Sequence, residues 1–282
     1  MAVNNGPMTK KTVLITGCSS GIGYDAAHGL RNAGWRVFAS CRQAADCARL
    51  QAEGFESPQI DYADSNSIVN GLADVLEATE GRLDALFNNG AFASPGAVED
   101  LPREGLRASF ETNLFGVHEL TNHVIPVMRA QGHGRIVNCS SVLGLVAGPW
   151  RGAYVSTKFA MEGLTDVLRI EMKDTGIKVI LIEPGPITSD IRVNAIPHFE
   201  RWIDWENSAR REQYEELRHR LYEDSGPDKF ELPASAVTKK LRHALESKRP
   251  KARYFVTTPT YLMNFLRRVL PTRWLDALIL RG

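Results

Sequence analysis

Short apolar runs alternate along most of this chain with longer segments whose apolar positions recur at helical spacing. Most of the short runs are apolar almost throughout, which is typical of strands buried on both faces. The segments between them are long enough for helices. The predicted strands are Thr12–Thr16, Arg36–Ser40, Ser57–Asp61, Ala85–Asn88, Arg135–Cys139, Lys178–Glu183 and Arg253–Val256.

This alternation predicts βαβ units and hence an α/β fold around a parallel sheet. Crossovers between parallel strands are right-handed, so helices should cover both faces of the sheet. We expect a single doubly wound domain of the Rossmann type over residues 1–282, with about seven strands. No linker, repeat or low-complexity run divides the 282 residues. Ligands of such folds bind beyond the carboxyl ends of the strands.

The first predicted strand runs directly into a glycine-rich turn and then into a helical stripe that includes Ala26 and Leu30. The glycine spacing is GxxxGxG rather than GxGxxG. Backbone N–H groups at a helix N-terminus bind phosphate, and glycines let the backbone approach it closely. The turn is therefore predicted to hold the pyrophosphate of a dinucleotide. Its expected binding residues are Gly17, Ser19, Ser20, Gly21, Ile22 and Gly23.

Tyr154 and Lys158 lie one turn apart on a predicted helix, and Ser141 precedes Tyr154 by thirteen residues. Side chains at i and i+4 share a helix face, so the ammonium can approach the phenol. A nearby positive charge stabilises a phenolate, and we expect Lys158 to lower the pKa of Tyr154 from about 10 towards working pH. The Ser141 hydroxyl can hold a substrate oxygen beside that phenol. These residues predict a proton-transfer site.

The glycine turn followed by this serine, tyrosine and lysine resembles the short-chain dehydrogenase/reductase family. The resemblance runs from Thr12 to about Ser189. Within the family, the chain is similar to NADP-dependent reductases of the 17β-hydroxysteroid and retinol dehydrogenase type, and to a bacterial NADP-dependent aldehyde reductase group. The segments that carry it are TGCSSGIG at Thr16–Gly23, Asp61, Asn88-Asn89-Gly90, Asn113, Ser141, Tyr154, Lys158 and Pro184-Gly185.

The resemblance implies hydride transfer between NADP(H) and a carbonyl or alcohol carbon. It implies that Ser141 and Tyr154 donate hydrogen bonds to the carbonyl oxygen and that Tyr154 is the general acid. Lys158 would also hold the nicotinamide ribose, and Asn113 would orient a water that links Lys158 to solvent. Ser140 precedes Ser141, so one of the two is structural, and the family spacing to Tyr154 favours Ser141 as the catalytic one.

Two implied cofactor loops depart from the family pattern. The family reads Asn-Asn-Ala-Gly where this chain has Asn88-Asn89-Gly90-Ala91, which changes the position that can adopt φ > 0. Ser189 stands at the usual threonine position, and the adjacent Thr188 leaves the assignment of the hydroxyl open. The residues expected to contact the cofactor in these loops are Asn89, Gly90, Pro184, Gly185, Ile187 and Ser189.

The end of the second predicted strand distinguishes NADP from NAD. An acidic side chain there would bind a free ribose 2′-hydroxyl and repel a 2′-phosphate, but residues 36–45 contain no acid. Arg42 follows the strand, and with Ser19 it is expected to hold the 2′-phosphate by charge-assisted hydrogen bonds. The alternative is that Arg42 is a solvated loop residue.

Asp61 and Tyr62 follow the third predicted strand. Asp61 is expected to accept a hydrogen bond from the adenine amine, with Tyr62 beside it. The alternative, that Asp61 caps the next helix, is weaker because Asp64 and Ser65 stand nearer to that helix.

The composition of the chain limits the kinds of binding partner and the cellular location that we expect. The net charge is +1 and the basic residues are dispersed, so no nucleic acid or other polyanion is indicated. The four cysteines have no disulfide or CxxC spacing, so reduced thiols and a cytoplasmic location are expected. Met1–Met8 lacks the apolar stretch of a signal peptide, and no apolar run approaches a membrane span. No metal site is indicated.

An insert at 190–233 is rich in aromatics and, in this fold, usually covers the substrate. Such cover suits an apolar aldehyde or ketone, retinoid-, steroid- or aliphatic-like. The alternative is that the aromatics pack the insert's own helices. They are Phe199, Trp202, Trp205, Tyr214, Tyr222 and Phe230.

The tail at 260–282 is apolar and basic, and Pro271 divides it into two helical pieces. We expect the tail to fold over its own subunit or a neighbour, because amphipathic helices mostly bury their apolar stripe in protein. The alternative is peripheral contact with a membrane surface.

The main hypothesis is an NADPH-dependent carbonyl reductase. The same residues would serve an NADP-linked alcohol dehydrogenase running towards oxidation, so the sequence does not separate the two directions. A non-catalytic NADPH-sensing protein is a further alternative, although a binder has no need for the Tyr154 phenol. The resemblance also implies a homodimer or homotetramer built on the helices that follow Leu101 and Gly152.

Overall fold

The structure is a computed structural model that describes residues 10–223 and 226–281, so the predicted absence of a signal peptide in Met1–Met8 lies outside it. A parallel sheet of six strands has the order β2-β1-β3-β4-β5-β6. The order reverses at β1 and β3, which is the switch point where this class of fold binds ligands. The strands are β1 (Thr12–Ile15), β2 (Arg36–Ala39), β3 (Ala85–Asn88), β4 (Gly134–Cys139), β5 (Ile177–Glu183) and β6 (Arg253–Phe255).

Helices cover both faces of the sheet, which confirms the predicted doubly wound α/β fold. The helices are α1 (Gly21–Asn32), α2 (Ala44–Ala52), α3 (Ser65–Ala78), α4 (Arg103–Phe110), α5 (Gly116–Ala130), α6 (Gly152–Glu171), α7 (Ile196–Trp202), α8 (Arg211–Tyr222), α9 (Ser235–Glu246), α10 (Thr258–Val269) and α11 (Thr272–Ile279). One core contains buried residues of α1, α2 and α9 against one face of the strands. A second contains those of α3, α5 and α6 against the other face.

The predicted strand Ser57–Asp61 is wrong, and the sheet has six strands rather than about seven. This segment runs beside the end of β2 without a continuous ladder, and its backbone pairing is limited to two isolated bridges, Phe38 with Glu56 and Cys41 with Gln59. The Ser57 hydroxyl adds a side-chain bond to the Ala39 carbonyl at 2.6 Å. Pro58 lies between the two bridges. Because proline has no N–H group, it cannot donate to a ladder, and the pairing stops on either side of it.

A single π turn, Glu111–Phe115, joins α4 to α5 without a break in the helical path. Such turns insert one extra residue and shift the side chains that follow, and they often occur at functional sites. Here the turn carries Asn113 into the protein interior, where it is fully buried.

A buried ion cluster joins β5, β6 and α6. The Arg253 guanidinium binds the carboxylates of Glu162 and Glu183 and, at 2.6 Å, that of Asp166. Glu183 is fully buried, and burial raises its pKa above the ordinary value, whereas the Arg253 guanidinium opposes this rise. Without the guanidinium, the carboxyl groups of Glu162 and Glu183 would lie in the interior with no cationic partner to compensate for their burial.

Replacing Arg253 with methionine should therefore destabilise the fold strongly. We expect Arg253→Met to lower the free energy of unfolding by about 3–5 kcal/mol, because it leaves buried carboxyl groups without their partner. Arg242→Met is the matched control, since Arg242 pairs with Glu246 at the surface and should cost less than about 1 kcal/mol. Urea unfolding of both variants tests this, and equal losses would show that the cluster contributes no more than a surface pair.

Candidate active site

A cavity of about 420 Å³ opens at the carboxyl ends of the strands. Its walls come from the turn after β1, the segments after β3, β4 and β5, and the start of α6. Most residues that the sequence predicts for the site line this one cavity. They are Gly17, Ser19, Ser20, Gly21, Ile22, Asn89, Gly90, Ser141, Tyr154, Lys158, Pro184, Gly185, Ile187 and Ser189. The predicted residues outside this lining are Gly23, Arg42, Asp61, Tyr62 and Asn113.

The glycine turn is built by close backbone packing. Gly17 has a φ of +69°, and a Cβ there would lie 2.7 Å from the Gly90 Cα. At Gly23 a Cβ would lie 2.2 Å from the Gly17 carbonyl oxygen. The Asn89 side-chain amide donates to the carbonyls of Thr16 (3.0 Å) and Gly17 (3.2 Å). Glycine is therefore required here both for conformation and for space.

Helix α1 begins at this turn, and no side chain caps its first N–H groups. Ser20 precedes the helix in an extended conformation and makes no side-chain capping bond. Uncapped N–H groups at a helix N-terminus are ready donors for phosphate oxygens, and the helix dipole favours the negative charge. The turn therefore fits the pyrophosphate of a nicotinamide dinucleotide.

The Tyr62 side chain lies inside the core. It is buried, and its hydroxyl bonds the Thr16 hydroxyl (2.8 Å) and the Asn88 amide oxygen (2.7 Å). A Cβ at Gly90 would lie 3.2 Å from the Tyr62 ring. The ring thus supports both loops from inside the core, and contact of Tyr62 with adenine stays a prediction. Nothing in the sequence indicated this inward orientation of the side chain.

Gly90 does not use the positive φ that its shifted position allows, since it is not among the glycines with a left-handed backbone. Its missing side chain instead leaves room for the Tyr62 ring and for Gly17. The departure from the family order therefore serves close packing between two loops.

Asp61 and Arg42 lie close to the carboxyl end of β2. The Asp61 carboxylate accepts from the Ala63 N–H at 3.0 Å, whereas Asp64 caps α3 by accepting from Asn66 at 2.9 Å. The helix-cap alternative for Asp61 is therefore excluded. Arg42 is exposed, and only its backbone carbonyl is bonded, by the Gln59 amide at 2.9 Å.

Arg49 is a candidate that the sequence did not indicate. From α2 it donates to the Ser19 carbonyl at 2.6 Å, and it also pairs with Glu53 at 3.0 Å. It thus brings a guanidinium to the glycine turn, at Ser19, which the sequence predicts to contact the ribose phosphate. The sequence around Arg49 did not predict this contact, because Arg49 and Ser19 are 30 residues apart in the chain.

The two adjacent serines have different surroundings. Ser141 precedes the short 3₁₀ helix Val142–Gly144, and its hydroxyl accepts the Leu143 N–H at 3.1 Å and lies close to Tyr154. Ser140 is buried, and its hydroxyl lies towards Glu162 instead. The structure therefore places Ser141 beside the phenol, as the spacing to Tyr154 predicts, and gives Ser140 the structural position.

Lys158 is buried on α6, and Tyr154 is partly buried one turn before it. The Lys158 ammonium donates to the Cys139 carbonyl at 2.7 Å and lies 5.5 Å from the centre of the Tyr154 ring. Burial raises the pKa of Tyr154 above its ordinary value, against smaller lowering effects of the nearby Ser141 hydroxyl and of the Arg151 charge. Burial also lowers the pKa of Lys158.

The expected lowering of the Tyr154 pKa by Lys158 is therefore not found. The desolvation of a phenolate is more unfavourable than its attraction to the Lys158 ammonium is favourable, because that ammonium is already bonded to a carbonyl.

Asn113 does not line the cavity. Its amide exchanges two hydrogen bonds with the Phe92 backbone (3.0 and 2.9 Å) and donates to the Thr157 hydroxyl on α6 at 3.3 Å. It thus ties the segment after β3 to the helix that carries Tyr154. Its role in orienting a water beside Lys158 stays a prediction.

The ambiguity between Thr188 and Ser189 is settled by their partners. The Thr188 hydroxyl donates to Glu231 at 2.7 Å, on the insert side. Ser189 approaches the start of α1, where a Cβ at Gly21 would lie 3.0 Å from the Ser189 Cβ. Ser189 is therefore the hydroxyl on the side of the glycine turn.

The aromatics of the insert pack in a small cluster that also includes residues outside the insert. Phe199 and Tyr214 are buried there with Ile203 and Leu221, and Trp202 and Trp205 pack against its edge. Ala97, Leu101 and Trp150 belong to the same cluster, and the Tyr214 hydroxyl donates to Asp100 at 2.8 Å. These four aromatics of the insert therefore pack within the protein and do not line the cavity. The insert lines the cavity with other residues, which are Asp190, Ile191, Arg192, Asn194, Ala195, Leu217, Arg220, Leu221 and Asp228.

The fold and this cavity together define a dinucleotide-binding α/β protein with a serine, a tyrosine and a lysine at the end of its sheet. The family model described as short chain dehydrogenase matches residues 11–198. The chain belongs to the short-chain dehydrogenase family. It is therefore an oxidoreductase that uses a nicotinamide dinucleotide and acts on CH–OH or carbonyl groups.

Relatives cover nearly the whole chain. The uncharacterized oxidoreductase YbbO of Escherichia coli K12 is 38% identical over 97% of this chain and 96% of its own. The NADPH-dependent 3-dehydrocapnine reductase of Ornithobacterium rhinotracheale is 30% identical over 93% and 94%. A short chain dehydrogenase/reductase structure from Burkholderia phymatum in complex with NAD shares the fold with a TM-score of 0.77, 23% identity, and coverage of 98% and 97%.

The glycine turn gives a direct test of the cofactor site. Gly23→Ala should weaken binding of NADPH and NADH by on the order of tenfold or more, because the new methyl group must displace the Gly17 carbonyl. Gly163→Ala is the matched control, since no atom lies within 4 Å of a Cβ at that position on α6. The control should bind normally and gain up to about 1 kcal/mol of stability. Fluorescence titration measures both, and normal binding by Gly23→Ala would contradict the assignment.

Proposed function

We propose that this protein is an NADPH-dependent reductase that converts an aldehyde or ketone to an alcohol. The observation that carries the proposal is the Tyr154 phenol, which lines the same cavity as the Ser141 hydroxyl, the Lys158 ammonium and the glycine turn. A neutral phenol is the form that reduction consumes, because the oxygen of the reduced carbonyl must take up a proton.

The residues of the cavity act on the carbonyl oxygen. A bound nicotinamide dinucleotide supplies the hydride that goes to the carbonyl carbon. As the C=O π bond breaks, negative charge grows on the oxygen, and the hydroxyls of Ser141 and Tyr154 donate to it. Tyr154 then gives that oxygen its proton, which completes the alcohol and leaves a phenolate. The Lys158 ammonium stabilises this phenolate until a proton returns from solvent.

The proposed preference for NADPH rests on the charges near the end of β2. No carboxylate stands in residues 36–45, Arg42 is exposed there, and Arg49 contacts the Ser19 carbonyl. One guanidinium at the turn and a second that follows β2, with no carboxylate in residues 36–45, suit a 2′-phosphate better than a 2′-hydroxyl. The name of the Ornithobacterium relative supports NADPH, whereas the Burkholderia structure contains NAD.

The substrate that we propose has an apolar body. Val142, Leu143, Leu217 and Leu221 line the cavity beyond the catalytic hydroxyls. Aliphatic walls of this kind favour medium-sized apolar carbonyl compounds over small polar ones. Arginines also line part of the wall and suit a polar end of such a molecule; they are Arg151, Arg192 and Arg220.

Oxidation of an alcohol by the same residues is the second candidate. That direction would use Tyr154 as a base, and the same serine, tyrosine and lysine serve both directions because a catalyst accelerates a reaction and its reverse alike. The name of the Ornithobacterium reductase supports reduction. A protein that only senses NADPH would not need a serine hydroxyl beside the phenol.

We also propose a homo-oligomer in the cytoplasm that uses the outer face of α6. Met161 and Met172 are buried in the core, but Leu164, Val167 and Ile170 on the same helix are 41%, 51% and 63% exposed. Apolar side chains this exposed on one helix are typical of a subunit interface.

Tyr154→Phe tests the catalytic proposal. The variant removes one hydroxyl and should lower the rate of NADPH-dependent carbonyl reduction by about 10²–10⁴-fold, because the general acid is lost. NADPH binding should stay within about twofold, since the ring is retained. Tyr222→Phe, which changes an exposed phenol bonded to Glu200, is the control and should keep full activity. Wild-type rates in Tyr154→Phe over an aldehyde and ketone panel would show that the acid is misplaced.

Arg42→Ala tests the nucleotide preference. We expect the dissociation constant for NADPH to rise by on the order of tenfold, with that for NADH nearly unchanged, because only NADPH carries the 2′-phosphate. Arg82→Ala, which removes another exposed arginine, should change neither constant. An equal loss for both nucleotides would mean that Arg42 supports the loop and does not read the phosphate.

A further inference from the structure

The C-terminal tail exposes an apolar surface. Helix α10 buries only Thr260, and α11 buries no residue. Tyr261, Phe265 and Val269 recur at helical spacing on α10 with exposures of 50%, 61% and 55%. We call the exposed apolar set the tail surface; it consists of Tyr261, Leu262, Phe265, Val269, Trp274, Leu278 and Leu280. The expectation that the tail folds over its own subunit is not met for this surface.

The tail surface is bordered by positive charge. The residues from 258 to 281 contain four arginines, at 267, 268, 273 and 281, against the single acid Asp276. Arg268, Arg273 and Arg281 are exposed. Apolar side chains with basic neighbours, and with an exposed Trp274, form the pattern of a segment that lies in a lipid headgroup region.

The tail also borders the cavity. Helix α10 packs against the 3₁₀ helix Val142–Gly144, and Arg267 donates to the Leu145 carbonyl at 2.9 Å. Val142 and Leu143, from the same loop, line the cavity directly after Ser141. Whatever docks on the tail therefore lies next to the loop that forms the substrate side of the cavity.

We propose that the tail surface docks on a lipid bilayer that contains anionic headgroups. The exposed arginines complement anionic phosphate and carboxylate groups, and the apolar side chains enter the boundary between headgroups and acyl chains. A second copy fits less well, because a two-fold contact through this surface would bring the arginines of both copies together with few acidic partners. No helix in residues 10–223 and 226–281 has the length and apolar character to cross a bilayer, so the contact is at the surface.

Docking has a consequence for the substrate, and only this consequence rests on the proposed reductase function. The loop after Ser141 would lie near the headgroup region, so an apolar carbonyl compound dissolved in the bilayer could reach the cavity without crossing water. The docking itself depends on neither nucleotide nor carbonyl compound.

Vesicle co-sedimentation of the full chain tests the docking without any substrate. We expect the wild-type protein to sediment with vesicles of phosphatidylcholine and phosphatidylserine and much less with phosphatidylcholine alone. Added salt should release it, since screening weakens the attraction of the arginines. Phe265→Ser with Trp274→Ser, and separately Arg268→Glu with Arg273→Glu, should each reduce the partition coefficient by on the order of tenfold.

Matched controls keep the test specific. Val69→Ser changes an exposed apolar residue on α3, and Arg82→Glu with Lys239→Glu reverses two exposed charges elsewhere. These controls should sediment like wild type, and thermal unfolding and NADPH binding should be equal in all variants. Absence of vesicle binding, or binding that the tail variants leave unchanged, would overturn the proposal. So would tail variants that only convert a dimer to a monomer in sedimentation velocity, because the occupant would then be a second copy.

Discussion

The hydrogen bond from the Lys158 ammonium to the Cys139 carbonyl joins α6 to the end of β4, and the geometry of the site depends on it. On the same helix face, one and two turns further on, Glu162 and Asp166 bind Arg253 on β6. One face of one helix is thus tied to two strands by buried polar contacts. Contacts of this kind tolerate little displacement, because a shift would leave charged groups unpaired in the interior. Tyr154 is therefore held in a fixed position at the edge of the sheet.

Desolvation has the largest effect on the pKa values of Tyr154 and Lys158 on this face of α6. The proximity of an ammonium to a phenol favours the phenolate, whereas burial of the pair favours the uncharged phenol. In this structure burial prevails at Tyr154, and the ammonium is engaged by a carbonyl. In the proposed reduction, the Lys158 ammonium would stabilise the phenolate that forms when Tyr154 gives up its proton. This arrangement suits a reaction in which the tyrosine begins as an acid.

The segments predicted to bind the cofactor and those predicted to contact the substrate are shaped by different physical constraints. The glycine turn depends on backbone approach within a few ångströms, so its residue types are dictated by sterics at Gly17 and Gly23. Which residues of the insert and the tail are buried depends on contacts with segments that are distant in sequence. Phe199 and Tyr214 are buried in a cluster away from the cavity lining, and several apolar residues of the tail are exposed. The aromatic content of a segment alone did not show whether its side chains cover a ligand or pack against other parts of the protein.

The sequence by itself determined the α/β class, the parallel sheet, the phosphate-binding turn and the spacing of Ser141, Tyr154 and Lys158. These features follow from local patterns, because strand periodicity, glycine conformation and i+4 helix geometry need no distant partner. Only the tertiary structure decided that Tyr62 faces the core, that Arg49 reaches the Ser19 carbonyl, and that the Tyr154 pKa rises. Each of these depends on which segments approach one another and exclude water, and burial is a property of the assembled fold rather than of any stretch of chain.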